Sequence, residues 1–128
     1  MHPNSQTGSA NEYRAAAHFA ERGWEVFWPP TGKSPCDFVM VRNGDTHRVQ
    51  VKTASRWEKS GSTYLRCKLP TSYKPGDFDL LVAVAKDGRL WSIPESKLPK
   101  TQTLYLEKCG GSARNYGWDV YEVTNEQP

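Results

Sequence analysis

The feature that most constrains this chain is a predicted β-hairpin whose turn is the dipeptide Asn43-Gly44, a strong local signal for two adjacent antiparallel strands. The segment before the turn, residues 37–41 "DFVMV", is apolar enough for a strand that is buried on both faces. The segment after it, residues 47–54 "HRVQVKTA", alternates, so its valines face one side of the strand and its polar residues face the other. The sequence therefore predicts two paired strands with a polar row on the second.

Three polar side chains occur where a core strand would ordinarily be apolar. Asp37 opens the first strand, and Gln50 and Lys52 share one face of the second. Because neighbouring strands are about 4.8 Å apart and same-face residues about 7 Å apart, we expect these groups to converge. The alternative without a functional site is that Asp37 caps a turn and that Lys52 reaches solvent.

A helix is predicted before the hairpin. Ser9 and Glu12 have the spacing of a capping box, in which each side chain accepts a hydrogen bond from a free backbone N–H at the helix start. Gly23 stands where a glycine typically ends a helix. Residues 1–8 are then interpreted as a flexible arm and residues 9–128 as a single domain. Glu12 is expected near the core boundary and toward Asp37.

Further strands are expected beyond the hairpin, at "TYLRCKL", on both sides of an Asp-Gly turn in "DFDLLVAVAKDGRLWSIP", at "TLYLEK" and at "WDVYEV". The order of one helix followed by many strands predicts an α/β fold with a central mixed β-sheet and a flanking helix.

Composition narrows the functional classes. No apolar run approaches the length of about 20 residues that spans a bilayer, and the N-terminus lacks the layout of a signal peptide, so no membrane partner and a cytoplasmic location are expected. The three cysteines form no Cys-x-x-Cys pair, which argues against a zinc knuckle or a disulfide framework. The net charge is +3, but residues 48–74 carry seven basic residues and one acid, a net charge of +6. Such a segment is typical of a polyanion-binding surface or of a solvated basic loop.

Two carboxylates, an amide oxygen and an ammonium group suit chemistry on phosphate. Mg²⁺ takes oxygen ligands from one or two carboxylates and leaves room for water and substrate phosphate. Such a cation can polarise a phosphoryl oxygen and activate water, and a lysine can stabilise the charge that develops on the phosphate.

In order and spacing, "Glu12 … Ser-Pro-Cys-Asp37 … Gln50-Val-Lys52" resembles the PD-(D/E)XK nuclease superfamily, which includes restriction enzymes, Holliday-junction resolvases and homing endonucleases. The resemblance implies a restriction-endonuclease-like core and an Mg²⁺-dependent endonuclease, with Mn²⁺ as the other candidate metal. It implies that Glu12, Asp37 and Gln50 are metal ligands and that Lys52 is catalytic. DNA is the implied substrate, branched DNA such as a Holliday junction is one candidate, and a homodimer or higher homo-oligomer is expected.

Two departures from the superfamily pattern keep alternatives open. Gln50 replaces the usual acid before x-Lys, which removes one negative charge from the metal site. The helix expected after the lysine strand is not evident between Ser55 and Gly76. The alternatives are a catalytically decayed DNA-binding module, a sequence-specific homing or restriction endonuclease, and a partner-binding protein with no nucleic-acid role.

Residues expected to contact DNA come from the loop before Asp37 and from the basic segment. Trp57 and Tyr64 lie among those cations, an arrangement that suits base stacking or a dimer interface. The predicted DNA contacts are Lys33, Ser34, Arg48, Arg56, Lys59, Arg66, Lys68 and Lys74.

Overall fold

One helix and eight strands make up the described part of the chain. The computed structural model describes residues 3–30, 32–70, 72–109 and 117–123, with side chains from residue 8 onward. Within these ranges no helix is long and apolar enough to cross a membrane. The helix is α1 (Pro3–Ala20), and the strands are β1 (Glu25–Phe27), β2 (Phe38–Arg42), β3 (Asp45–Lys59), β4 (Ser62–Lys68), β5 (Leu80–Ala85), β6 (Leu90–Pro94), β7 (Thr103–Cys109) and β8 (Glu122–Val123). Short 3-10 helices occupy Glu95–Lys97 and Trp118–Tyr121.

The strands form a mixed sheet in the order β1-β2-β3-β5-β6-β8, with β4 and β7 joined to it through the far half of β3. Strands β3 and β5 run parallel, and the other recorded pairs are antiparallel. The predicted α/β fold with a central mixed sheet and a flanking helix is therefore confirmed.

The β2–β3 hairpin forms as predicted. Asn43 and Gly44 have φ angles of 51° and 85°, the left-handed pair that a tight two-residue turn requires. Phe38 pairs with Val49 and Val41 with Thr46 across the hairpin. This register sets the start of β2 beside the middle of β3, where Gln50 and Lys52 lie.

Strand β3 is much longer than its alternating segment indicated. Its first part pairs with β2 and β5, and its last five residues, Ser55–Lys59, pair with β4. A turn at Ser60 and Gly61, both with positive φ, leads into β4. The segment after the lysine strand is thus a second hairpin, and its described residues contain no helix.

Helix α1 begins at Pro3 and not at Ser9, so the predicted capping box is wrong, and residues 3–8 are helical. Residues 1 and 2 of the predicted arm lie outside the described residues. The helix ends near the predicted point, because Gly23 adopts a φ of 90° and leads the chain into β1. Strand character at "WDVYEV" is limited to β8, since a 3-10 helix occupies the preceding residues.

The sheet has an apolar cluster on each face. Ala15, Ala16 and Phe19 of α1 pack on a cluster that includes Val49 and Val51 of β3. The other cluster holds Leu81 and Ile93 of the main sheet together with the inward side chains of β4 and β7, which are Leu65, Cys67, Leu104 and Leu106. Strand β3 therefore separates the two clusters, and its odd and even positions in the main sheet face different ones.

Candidate active site

Asp37 immediately precedes β2 and is fixed against β3. Its backbone N–H donates to the carbonyl oxygen of Val49, 2.7 Å away, and its carboxylate accepts a hydrogen bond from the N–H of Val51, also 2.7 Å away. Strand N–H groups point along the plane of the sheet, so the carboxylate lies near that plane. Because both contacts are to residues that flank Gln50, the Asp37 carboxylate lies beside the backbone of Gln50.

The carboxyl groups of Glu12 and Asp37 are neighbours. Burial, the negative charge of Asp37 and a hydrogen bond to the Asp37 side chain raise the pKa of Glu12 from 4.5 to about 7. Glu12 is half-buried at the edge of the helix face that meets the sheet, as the sequence predicted. The site thus holds two close carboxyl groups whose mutual repulsion a cation would relieve.

Asn11, which the sequence interpretation did not single out, holds α1 in place next to Glu12. Asn11 is only 3% exposed, and its side-chain N–H₂ donates to the hydroxyl of Thr53 at 2.7 Å. Arg14 donates to the amide oxygen of Asn11 at 2.7 Å. The spacing of Asn11, Ala15 and Phe19 places Asn11 on the core-facing stripe, a signal that could have identified it.

Gln50 and Lys52 share a face of β3 as predicted, and it is the face opposite α1. Both are half-buried. Burial raises the pKa of the Cys67 thiol to about 12, while the nearby positive charge of Lys52 acts in the opposite direction. The ammonium group of Lys52 therefore lies on the side of the sheet that faces β4. Among the described residues, Lys52 has no ion pair with Glu12 or Asp37.

A cleft of about 1150 Å³ begins beside this group. Asn11 and Thr53, the neighbours in sequence of Glu12 and Lys52, form part of its wall. Its lining also includes several cations, which are Arg14, Arg56, Lys86, Arg89 and Lys108. Among the described residues that line the cleft, three are acids, Asp87, Glu107 and Asp119, and none is one of the four predicted catalytic residues.

Arg48, predicted to contact DNA, is engaged within the protein. Its guanidinium forms hydrogen bonds of 3.2 and 3.0 Å with the two carboxylate oxygens of Asp79, and it also donates to the carbonyl of Gly76. The backbone N–H of Arg48 donates to Asp79 at 2.7 Å. These bonds tie β3 to the loop before β5, and Asp79 neutralises the charge of Arg48.

The other predicted DNA contacts are spread over separate regions. Lys33 is exposed in the loop before Asp37, and Ser34 in the same loop accepts a 3.4 Å hydrogen bond from the N–H of Cys36. Lys74 is exposed in the loop between β4 and β5. Arg56 lines the cleft, whereas Lys59, Arg66 and Lys68 lie on the other face of the second hairpin. The basic segment is therefore not one continuous stripe.

Metal donors at the site are few. In the described ranges, no three His, Cys, Asp or Glu side chains are placed to hold an ion together. The Glu12–Asp37 pair with the adjacent Gln50 still fits Mg²⁺, because this ion is commonly held by one or two carboxylates plus water and substrate phosphate. The fit rests on the closeness of the two carboxyl groups and on the hard oxygen donors that they offer.

A mixed sheet that carries this carboxyl pair at the end of a hairpin, flanked by one helix, defines an α/β protein with a nuclease-like core. Residues 2–107 match the PD-(D/E)XK endonuclease family. The chain therefore belongs to the PD-(D/E)XK endonuclease family, as its resemblance predicted.

Two individual proteins are similar to this chain. Protein 5.3 of Escherichia phage T7 is 32% identical over 91 residues, which cover 68% of this chain and 77% of that protein. The bacterial homing endonuclease I-Ssp6803I has a solved structure that matches with a TM-score of 0.78 at 21% identity, over 95% of this chain and 88% of that one. The second likeness shows a shared fold.

Proposed function

We propose that the protein is a metal-dependent endonuclease that hydrolyses phosphodiester bonds in DNA. The observation that carries the proposal is the pair of neighbouring carboxyl groups on Glu12 and Asp37, held next to Gln50 by the hydrogen bonds of Asp37 to β3. Membership of an endonuclease family makes DNA the expected substrate. The nearby cleft supports the proposal with four cations that form no ion pair with a carboxylate among the described residues, and an anionic DNA backbone requires such charge; they are Arg14, Arg56, Lys86 and Lys108.

Each residue of the site has a distinct proposed role. Glu12 and Asp37 hold the cation, and the amide oxygen of Gln50 completes the set of protein ligands. A bound Mg²⁺ or Mn²⁺ would supply polarisation of the phosphoryl oxygen and activation of the attacking water. Lys52 lies on the same face as Gln50, opposite α1, and we propose that it approaches the phosphate from that side of the sheet and stabilises its developing charge.

The test is cleavage of linear duplex, flap and four-way-junction DNA with Mg²⁺, with Mn²⁺ and with a chelator. Asp37→Asn keeps an acceptor for the Val51 N–H but removes the charge, and Lys52→Ala removes the ammonium group. Each is expected to lower the cleavage rate by at least about 100-fold while DNA binding survives. Asp45→Ala and Lys97→Ala, at exposed positions outside the site, are matched controls expected to cut normally. Wild-type rates in either site variant would refute the assignment.

Gln50 supports a second candidate, a decayed nuclease that binds DNA without cutting it. Gln50 stands where the superfamily usually carries an acid, so one negative charge is missing beside Asp37. Restoring that charge with Gln50→Glu separates the two functions. An inactive wild type and an active variant would establish decay, whereas an active wild type excludes it.

The form of the DNA substrate separates the remaining proposals. Preferential cutting of the four-way junction would assign a resolvase-like activity. The structural neighbour is a homing endonuclease, which favours cutting of duplex at a specific sequence as the alternative. Cleavage of both strands calls for two active sites, so we propose a homodimer or a higher homo-oligomer, to be measured by analytical ultracentrifugation.

A further inference from the structure

The second hairpin and β7 form a small sheet with an aromatic and basic outer face. Its inner face packs Leu65 and Leu104 into the core. The outer side chains pair across the strands, with Trp57 opposite Tyr64 and Arg66 opposite Tyr105. We call this outer surface the aromatic face, and its members are Trp57, Lys59, Tyr64, Arg66, Lys68 and Tyr105.

The three rings of the aromatic face touch one another. The ring centroids of Tyr64 and Tyr105 are 5.7 Å apart, and Trp57 lies 6.2 Å from each of them. All three side chains are half-buried, so they present ring surface to solvent while supporting one another. Apolar ring surface that is exposed to solvent is unfavourable, and a ligand with flat faces would cover this surface.

Two cationic side chains lie over the Trp57 ring of the aromatic face. The guanidinium carbon of Arg66 lies 3.9 Å from the Trp57 ring centroid, and the Lys59 ammonium lies 5.6 Å from it. Lys68 is exposed at the end of β4, on the same side as Arg66. Within the described ranges, none of these three cations forms an ion pair with a carboxylate.

From this combination we propose that the aromatic face binds single-stranded DNA, with bases stacked on the rings and phosphates paired with the cations. Aromatic side chains interleaved with basic ones are the physical requirement for binding unpaired strands, because every base has a face that can stack. In a duplex the base faces are already stacked on each other, and the grooves expose only base edges. The proposal concerns binding alone, so it stands whether or not the protein cleaves DNA.

The test measures anisotropy of a labelled oligothymidylate of roughly 16 nucleotides, and of a duplex of equal length, in chelator. The wild type is expected to bind the single strand more tightly, with an affinity that falls as salt rises. Trp57→Ala and Tyr64→Ala are each expected to weaken that binding by at least about fivefold. Tyr13→Ala is the matched control, since Tyr13 is 65% exposed and lies on α1.

A second variant guards against a folding defect among the packed rings. Lys68→Ala removes an exposed cation without touching a ring, and it is expected to reduce the salt dependence of single-strand binding relative to Lys97→Ala. Equal single-strand affinity in wild type, Trp57→Ala and Lys68→Ala would overturn the proposal, as would a duplex that binds equally well. A dimer that dissociates on Trp57→Ala, detected by ultracentrifugation, would also overturn it, by showing that the aromatic face joins two copies of the chain.

Discussion

At the scale of single residues, the neighbouring carboxyl groups of Glu12 and Asp37, which we propose bind a metal ion, lower the stability of the fold. The pKa of Glu12 is raised to about 7 by burial and by its contact with Asp37. A carboxyl whose pKa is higher in the folded state binds its proton preferentially there, so folding loses stability as the pH rises. The loss begins near the unfolded value of 4.5 and is complete above about 7. Without a cation, the pair is therefore a destabilising feature at neutral pH.

Glu12→Gln removes this penalty, because glutamine cannot ionise. We expect the variant to gain free energy of unfolding over the wild type at about pH 8, and to gain much less at about pH 5. Urea unfolding in chelator measures both values. The control is Glu25→Gln on β1, an exposed glutamate. A difference that does not grow between the two pH values would show that neither burial nor Asp37 raises the pKa of Glu12.

The residues whose positions in the fold the sequence predicted best are those in regular patterns. Gln50 and Lys52 could be placed on one face because the valines around them alternate, and Asp37 because the hairpin fixes its neighbour strand. The buried position of Asn11 was not predicted, because a polar residue in a helix is ordinarily exposed. Only its spacing of four residues from Ala15 indicates that it faces the core. The ion pair between Arg48 and Asp79 could not be predicted from the sequence, because the two residues are 31 positions apart.

At the scale of elements, turns were predictable and element lengths were not. Asn43-Gly44 dictates its own backbone conformation, whereas the start of α1 depends on tertiary contacts. Ser9 and Glu12 imitate a capping box inside a helix that begins six residues earlier at Pro3. The last five residues of β3, Ser55–Lys59, are polar except for the half-buried Trp57, so the sequence does not alternate there.

The same substitution, glycine to alanine, tests the backbone conformation at two positions, Gly44 and Gly8. Gly44 has a φ of 85°, where a side chain is strained, whereas Gly8 is helical, and a Cβ on either residue would meet no atom within 4 Å. Gly44→Ala is expected to lower the free energy of unfolding by about 1 kcal/mol, and Gly8→Ala to raise it by up to about 1 kcal/mol. Thermal and urea unfolding measure both variants. Shifts of the same sign would contradict the assigned conformations.

At the scale of the whole molecule, the main sheet and the β3–β4–β7 sheet are connected by Arg89 as well as by β3. The guanidinium of Arg89, at the start of β6, forms hydrogen bonds of 2.7 and 3.1 Å with the carboxylate of Glu107 on β7. It also pairs with Asp87 at 3.0 Å and with Glu122 of β8 at 3.8 Å. The cleft of about 1150 Å³ lies between these parts of the protein, because both Arg89 and Glu107 line it.

Arg89→Met is therefore expected to weaken the contact between the two sheets on either side of the cleft and to lower the stability of the fold. Loss of hydrogen bonds between charged groups predicts a decrease of about 2 kcal/mol in the free energy of unfolding, and the decrease should be smaller in high salt. Arg89→Lys keeps the charge but not the two-pronged geometry, so it should fall between the wild type and Arg89→Met. Arg56→Met, at an exposed position on the same cleft, should change stability by less than about 0.5 kcal/mol. If Arg56→Met and Arg89→Met were equally stable, the carboxylates around Arg89 would contribute nothing to joining the two sheets, and the shape of the cleft would depend on β3 and on the apolar cluster that the two sheets share.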